Sequence, residues 1–445
     1  MNLFPFQRKT LDDTATFNRV AYYYDMGLGK TYIGSEKMKE LAEGVNLVVC
    51  QKSKVGDWIE HFEVHYPDYA IFDLTDKKQL EQFMDVFNRY GEFGGNIIGV
   101  INYDLIFRRK RLHHLIEFTL MLDESSLIQN PTAKRTQAVL KMTPANVILL
   151  SGTPTGGKYE NLWSQLQLLG WNISLKAFEQ NYVNWKKIEV GDSVHKVVDK
   201  DNPYKNVERL KRKMREHGAV FMKTEEVHEL PAQNFAEIKV KTTKEYRKFQ
   251  KTSIITVCSD GSGEFVDDSD FWGTDARPRV TLVGDSILSK RIYSRMLCGH
   301  LNKDKLDAFQ DLCQSTNDRL IVFYNFNEEL EALKKICTKL ERPVSEISGH
   351  KKDLTAYKNY SDSITLIQYK AGARGENLQL ANKIIYFTLT DEAELFMQSL
   401  KRTHRIGQEE PCFYYILLCE NSIEDKEILP TLEVRERYTD ALFEK

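Results

Sequence analysis

Four short runs, apolar at nearly every position and without alternation, constrain this chain more than any other feature: residues 46–50, 96–101, 118–122 and 147–150. A strand with one wet face alternates apolar and polar residues. A run that is apolar throughout has to be covered on both faces. Helical stretches separate these runs, and strand–helix–strand alternation predicts a parallel sheet. Open parallel sheets bind ligands at the carboxyl ends of their strands. The residues just after each run are therefore the candidate site.

A fifth run, 20–24, leads into Asp25-Met26-Gly27-Leu28-Gly29-Lys30-Thr31, and a helix-like stretch follows from Tyr32. Strand, glycine turn and helix start form the setting of a phosphate-binding loop. Glycine lets main-chain N–H groups approach an anion without a Cβ in the way. Lys30 supplies a point charge for the β- and γ-phosphates, and Thr31 a hydroxyl for Mg²⁺. The common form of this loop has glycine where Tyr24 stands. Run 118–122 ends in Asp123-Glu124-Ser125-Ser126. Asp123 is placed to hold Mg²⁺ and Glu124 to activate the attacking water. Run 147–150 ends in Ser151-Gly152-Thr153-Pro154, a rigid turn with two hydroxyls. Far along the chain, Arg402 and Arg405 are three apart, so a helix would present both on one face. Such a pair suits a γ-phosphate in its transition state. A solvated basic face is the other reading of Lys401, Arg402 and Arg405.

The second half repeats the pattern, with strand-like runs at 320–324, 364–369, 383–387 and 413–418. Between the halves, 161–227 reads as helical and polar. Leu230-Pro231 then opens an alternating strand at 235–240, and 258–279 reads as an exposed insertion carrying Phe271-Trp272. The predicted architecture is α/β, with two parallel-sheet domains joined by a helical, insertion-bearing middle. Residues 1–227 form the first domain, with a helical extension from about 161. Residues 228–300 link it to the second domain, 301–445.

The net charge of −2 gives no global attraction to nucleic acid, so any such binding has to use local basic patches. No apolar run is long enough to span a bilayer, and residues 1–9 lack the apolar core of a signal peptide. The seven cysteines are scattered without a CxxC pair, which argues for a reducing compartment, no disulfide framework and no zinc site. The expected location is the cytoplasm, or the host cytoplasm for a phage protein.

In type and order these motifs resemble those of superfamily 2 helicase-type ATPases, specifically the SNF2-like DNA translocases. The resemblance rests on Asp25 to Thr31, Trp58, Asn102-Tyr103, Asp123-Glu124, Asn130, Lys134-Arg135, Ser151 to Pro154 and Asn161-Leu162-Trp163. It continues in Tyr324-Asn325, in Tyr369 to Leu378 and in His404-Arg405-Ile406-Gly407-Gln408. It implies two RecA-like domains with an ATP cleft between them. Gln7 would read adenine, and Gly27, Gly29, Lys30, Thr31 and Gly375 would surround the phosphates. Thr31 and Asp123 would hold Mg²⁺, and Lys30, Asp123, Glu124, Arg402 and Arg405 would carry catalysis. DNA, with duplex favoured and little sequence readout, would meet Lys52, Lys54, Asn102, Tyr103, Asn130, Tyr324, Asn325 and Lys370. Proteins of replication or recombination are the candidate partners. The acidic motif departs from the family's Asp-Glu-x-His, and Glu376 stands where leucine is common. The implied activity is ATP-driven translocation on DNA. A strand-separating helicase with Phe271-Trp272 as its pin, or a non-catalytic ATP-gated clamp, are the alternatives. Arg108-Arg109-Lys110-Arg111 reads equally as a phosphate contact or a solvated helix face.

Overall fold

The structure, a computed structural model, describes residues 3–89, 95–190, 193–258, 279–372 and 377–444. It forms two compact units, Met1–Glu229 with Arg437–Lys445, and Leu230–Glu436. The end of the last helix, Leu429–Phe443, thus belongs to the first unit. No helix among the described residues is long and apolar enough to cross a membrane.

The strands of the first unit are β1 (Arg19–Tyr24), β2 (Val45–Cys50), β3 (Tyr69–Asp73), β4 (Asn96–Asn102), β5 (Thr119–Asp123) and β6 (Asn146–Ser151). They are followed by β7 (Trp185–Val190), β8 (Ser193–Val198) and β9 (Ala219–Met222). Seven of them build one sheet in the order β3-β4-β2-β5-β6-β1-β9, with every pairing parallel. β2 is buried along its whole length, as expected of a strand covered on both faces. β1 carries Tyr22, Tyr23 and Tyr24, all fully buried. Their hydroxyls therefore need partners. Tyr22 Oη pairs with Thr14 Oγ1 at 3.0 Å, and Tyr24 Oη donates to Thr10 Oγ1 at 2.6 Å. Thr10 lies on the helix Pro5–Asp13 and Thr14 caps it, so these bonds dock that helix on β1.

The 161–227 stretch is less helical than the sequence predicts. It contains the antiparallel hairpin β7–β8 and the edge strand β9. In β7 successive residues Lys187, Ile188 and Glu189 alternate between faces, with one apolar residue between two charged ones, so the strand reads as polar. β9 is only four residues long, too short for a periodic signal.

The second unit adds β10 (Gln233–Val240), the hairpin strands β11 (Ile254–Cys258) and β12 (Arg279–Val283), β13 (Leu320–Tyr324) and β14 (Val344–Ile347). It ends with β15 (Lys352–Asp353), β16 (Ile364–Gln368), β17 (Lys383–Tyr386) and β18 (Cys412–Cys419). Its sheet runs β10-β18-β17-β13-β16-β14-β15, and only the β14–β15 pair is antiparallel. The chain is thus α/β with two parallel-dominated sheets. Phe271-Trp272 lies outside the described residues. Lys305 Nζ donates to Glu424 Oε2 at 2.6 Å, with both side chains fully buried. Cys298, Cys419 and Glu424 bring ligand-capable atoms within 4.8 Å of one another, and Lys305 already supplies the cation that pairs with Glu424.

Glu329 is a second buried acid. Its Oε2 accepts from Asn325 N (2.8 Å), Phe326 N (3.1 Å) and Thr388 Oγ1 (2.9 Å). Burial nevertheless outweighs these bonds and pushes its pKa up to about 7, from 4.5. Between those values the native protein holds a proton that the unfolded chain has released. Stability therefore falls as pH rises from about 4.5 to about 7. Glu329→Gln keeps an acceptor for the three donors and removes the charge. In urea unfolding, the variant is expected to match wild type at pH 5. At pH 8 it should exceed wild type by roughly 1–3 kcal/mol. Parallel pH profiles for the two proteins would contradict this assignment.

Candidate nucleotide site

β5, β6 and β1 are neighbours in one parallel sheet, so their carboxyl ends share an edge. That edge brings together the 25–31 loop, the Asp123-Glu124 pair and the Ser151-Gly152-Thr153-Pro154 turn. The loop turns through Gly27 (φ +90°) and Gly29 (φ +70°), and the helix Lys30–Leu41 starts directly after it. Glycine at 29 is required twice over. The left-handed backbone strains any L side chain, and a Cβ there would lie 2.5 Å from Gln7 Nε2.

Gln7 is buried and its amide is engaged within the unit. Nε2 donates to Leu28 O (2.9 Å) and Gly29 O (3.2 Å), and Oε1 accepts from Phe4 N (2.9 Å). It braces the loop, and the docked helix Pro5–Asp13 places it there. Lys30 Nζ donates to Tyr24 O at 2.9 Å and Asp25 O at 3.3 Å. Asp25 Oδ2 in turn accepts from Thr224 Oγ1 at 3.2 Å. A Cβ on Gly152 would sit 3.4 Å from Lys30 Nζ, so the 151–154 turn lies against the loop. Thr153 N donates to Ser151 Oγ at 3.1 Å and closes that turn.

The acidic pair is held by residues whose part the sequence did not reveal. Trp58, buried on the helix Val55–His65, donates its indole N–H to Asp123 Oδ2 at 2.9 Å. Tyr103 Oη donates to Asp123 O at 2.9 Å and more weakly to Glu124 O at 3.4 Å. Glu124 adopts a left-handed backbone, φ +52°, which is uncommon for a non-glycine residue. Burial and the neighbouring Glu124 charge push the Asp123 carboxyl up to about 6, against the indole hydrogen bond. Trp58 and Tyr103 stand 65 and 20 residues from Asp123, so no spacing rule could have found them.

Several of the residues expected to meet DNA are buried or turned inward. Asn102 and Tyr103 end and follow β4, and both are buried. Tyr324 ends β13, the strand between β17 and β16, and is fully buried. Asn325 turns its amide inward, donating to Thr388 Oγ1 (2.9 Å) and Leu389 O (3.1 Å). Lys52, Asn130 and Lys370 are exposed. Asn130 Oδ1 accepts from Thr132 N and Oγ1 at 3.0 and 2.8 Å, and Lys370 lies 3.6 Å from Glu392. Lys54 pairs with Asp57 at 2.6 Å.

The two arginines do not share a helix face. The helix Ala393–Leu400 ends before them, and 401–407 runs in turns and bends. Gln408 enforces this path, because its Nε2 donates to Gln379 O, Ala381 O and Thr403 O. Gly407 takes φ +93°. Arg402 is buried, while Arg405 is half-buried with its guanidinium on Asn377 Oδ1. His404 Nε2 pairs with Pro231 O at 2.9 Å. Gly375 lies outside the described residues.

Comparison with known families matches residues 23–303 to the SNF2-related domain and 304–407 to the Helicase conserved C-terminal domain. The chain belongs to the SNF2-related family. One SNF2-type relative is the mouse SWI/SNF-related matrix-associated actin-dependent regulator of chromatin subfamily A member 1. It is 22% identical, and the match covers 93% of this chain and 40% of that protein. The yeast ISWI chromatin-remodeling complex ATPase ISW1 is 23% identical, with 90% of this chain and 37% of its own length covered. The Bacillus subtilis putative ATP-dependent helicase/translocase YwqA is 22% identical, with 90% and 44% covered. The chain therefore spans less than half the length of these SNF2-type relatives.

Proposed function

We propose that this chain is an ATP-hydrolysing motor that moves along DNA, with duplex favoured. The observation that carries the reading is the convergence of Lys30, Asp123-Glu124 and the 151–154 turn at the carboxyl ends of three adjacent parallel strands. Family membership and the likeness to a putative ATP-dependent helicase/translocase of Bacillus subtilis support it. In this reading the glycine loop and Lys30 hold the phosphates. Thr31 and Asp123 offer the oxygen ligands that Mg²⁺ prefers, and the indole bond to Oδ2 fixes the carboxylate plane. Bound there, Mg²⁺ would neutralise charge on the β- and γ-phosphates. Glu124 takes the proton of the attacking water. Arg402, Arg405 and Gly375 are assigned to the phosphates, with the arginines stabilising the transition-state charge. Lys52, Lys54, Asn130 and Lys370 are assigned to DNA phosphates, so affinity falls steeply with salt and sequence matters little.

The test is ATP turnover with duplex DNA, single-stranded DNA, forks and RNA, together with triplex-strand displacement. Duplex DNA is expected to raise turnover strongly, and the third strand to be displaced while forks stay paired. Stimulation by RNA alone would overturn the reading. Fork unwinding would replace translocation by strand separation.

A further inference from the structure

We propose that Gln165 is a positioning residue whose single amide locks the acidic loop, β1 and the 151–154 turn into one catalytic arrangement; this rests on the ATPase reading above. Gln165 lies on the helix Trp163–Leu168 and is 0% exposed. Its Nε2 donates to Pro154 O at 2.7 Å. A carbonyl can only accept, so the nitrogen has to face it and Oε1 has to face the other way. There Oε1 accepts two hydroxyls, Ser125 Oγ at 2.8 Å and Tyr23 Oη at 3.0 Å. Both hydroxyl residues are fully buried, so neither has water as an alternative partner.

Each partner adjoins a working group. Tyr23 stands two residues before Asp25, where the phosphate loop begins. Ser125 follows Glu124, and Pro154 closes the turn that lies against Lys30. Glu124 is where the chain makes its left-handed turn. Tyr103 holds the main chain on one side of that turn, and Gln165 holds Ser125 on the other. The stretch of main chain that carries Glu124 is thereby held on both sides, by Tyr103 and by Gln165. A buried core position filled for packing alone would favour an apolar side chain of this size. The amide is explained by its three bonds, and those bonds make any shift of the 151–154 turn a shift of the acidic loop.

The experiment compares wild type with Gln165→Leu, Ser125→Ala, their double variant and Gln165→Glu. It measures kcat and KM for ATP with saturating duplex DNA, thermal midpoint, and hydrogen exchange at 24–31, 123–128 and 151–155. Gln165→Leu is expected to lower kcat at least tenfold with KM within threefold. The double variant should be no worse than Gln165→Leu, because both changes break one linkage. The three loops should exchange faster together. A protonated glutamic acid offers the same donor and acceptor pattern as glutamine. The kcat of Gln165→Glu relative to wild type should therefore rise about tenfold as pH falls from 8.5 to 6. The proposal is overturned if kcat of Gln165→Leu stays within twofold of wild type, or if kcat and KM worsen only in step with a lost thermal midpoint. A flat Gln165→Glu ratio, or unchanged exchange at the three loops, also overturns it. A wild-type protein without ATP turnover defeats the functional reading instead. The exchange data then decide alone whether Gln165 locks the loops.

Discussion

Replacing Lys30 by alanine is expected to abolish DNA-stimulated phosphate release, with a loss of about 10³-fold or more. Lys30 begins its helix directly after the left-handed Gly29, so its ammonium is presented at the loop without a flexible linker. It donates to two main-chain carbonyls, Tyr24 O and Asp25 O. Neutral carbonyls of this kind exchange readily for phosphate oxygens, because an ammonium is attracted more strongly to an ionised oxygen than to a neutral dipole. Alanine keeps the helix start and leaves the Gln7 brace untouched, since that brace contacts only main-chain atoms of Leu28 and Gly29. The variant should therefore fold, with an unchanged far-ultraviolet spectrum. It should also bind nucleotide more weakly, because the lost charge acts in the ground state as well as the transition state. Turnover within tenfold of wild type would remove the 25–31 loop from the catalytic assignment.

The parts of this site that were legible in the sequence are contiguous. A phosphate loop, an acidic pair and a Ser-Gly-Thr-Pro turn can each be read from one short window. Their strands announce themselves because burial on both faces favours apolar residues along most of each run. The parts that were not legible are long-range bonds. Trp58 reaches Asp123, Tyr103 reaches the carbonyls on either side of the acidic turn, and Gln165 ties three segments together. Nothing in the local pattern around Gln165 separates it from any polar residue on a helix. The burial of Tyr324 and Asn102 was not legible for a related reason. A polar residue at a strand end suggests a ligand contact, yet in a central strand it can equally be sealed into the sheet. The Arg402/Arg405 spacing suggested a helix face, but Gln408, through bonds to Gln379, Ala381 and Thr403, pulls the backbone into a turn. Short or exposed strands such as β9 and the β7–β8 hairpin carry too few residues, or too polar a surface, for an apolar run to mark them.

Glu124→Gln is expected to behave differently from the lysine variant, and the contrast identifies the base. Glu124 Oε2 is buried and has no hydrogen-bond partner among the described residues. A carboxylate oxygen without a donor can take a proton from water, whereas one already bonded, such as Asp123 Oδ2 on the Trp58 indole, has part of its capacity used. The proposed roles follow this difference, with proton transfer assigned to Glu124 and fixed, oriented charge to Asp123. Glutamine has the same shape, and the bonds that hold this turn involve the main chain of Asp123 and Glu124 and the side chain of Ser125. The substitution therefore leaves the loop in place and removes only the proton acceptor. Loss of a positioned general base lowers the rate by about 10²–10⁴-fold. ATP affinity should stay near wild type, so the variant accumulates as an ATP-bound form, which a filter-retained complex with labelled ATP would reveal. Equal loss of binding and turnover would instead make Glu124 a phosphate-site residue. Retention of turnover within tenfold would transfer the base to another group. Only a separation of the two effects, with binding kept and hydrolysis lost, fits Glu124 as the base on a loop held by Tyr103 and Gln165.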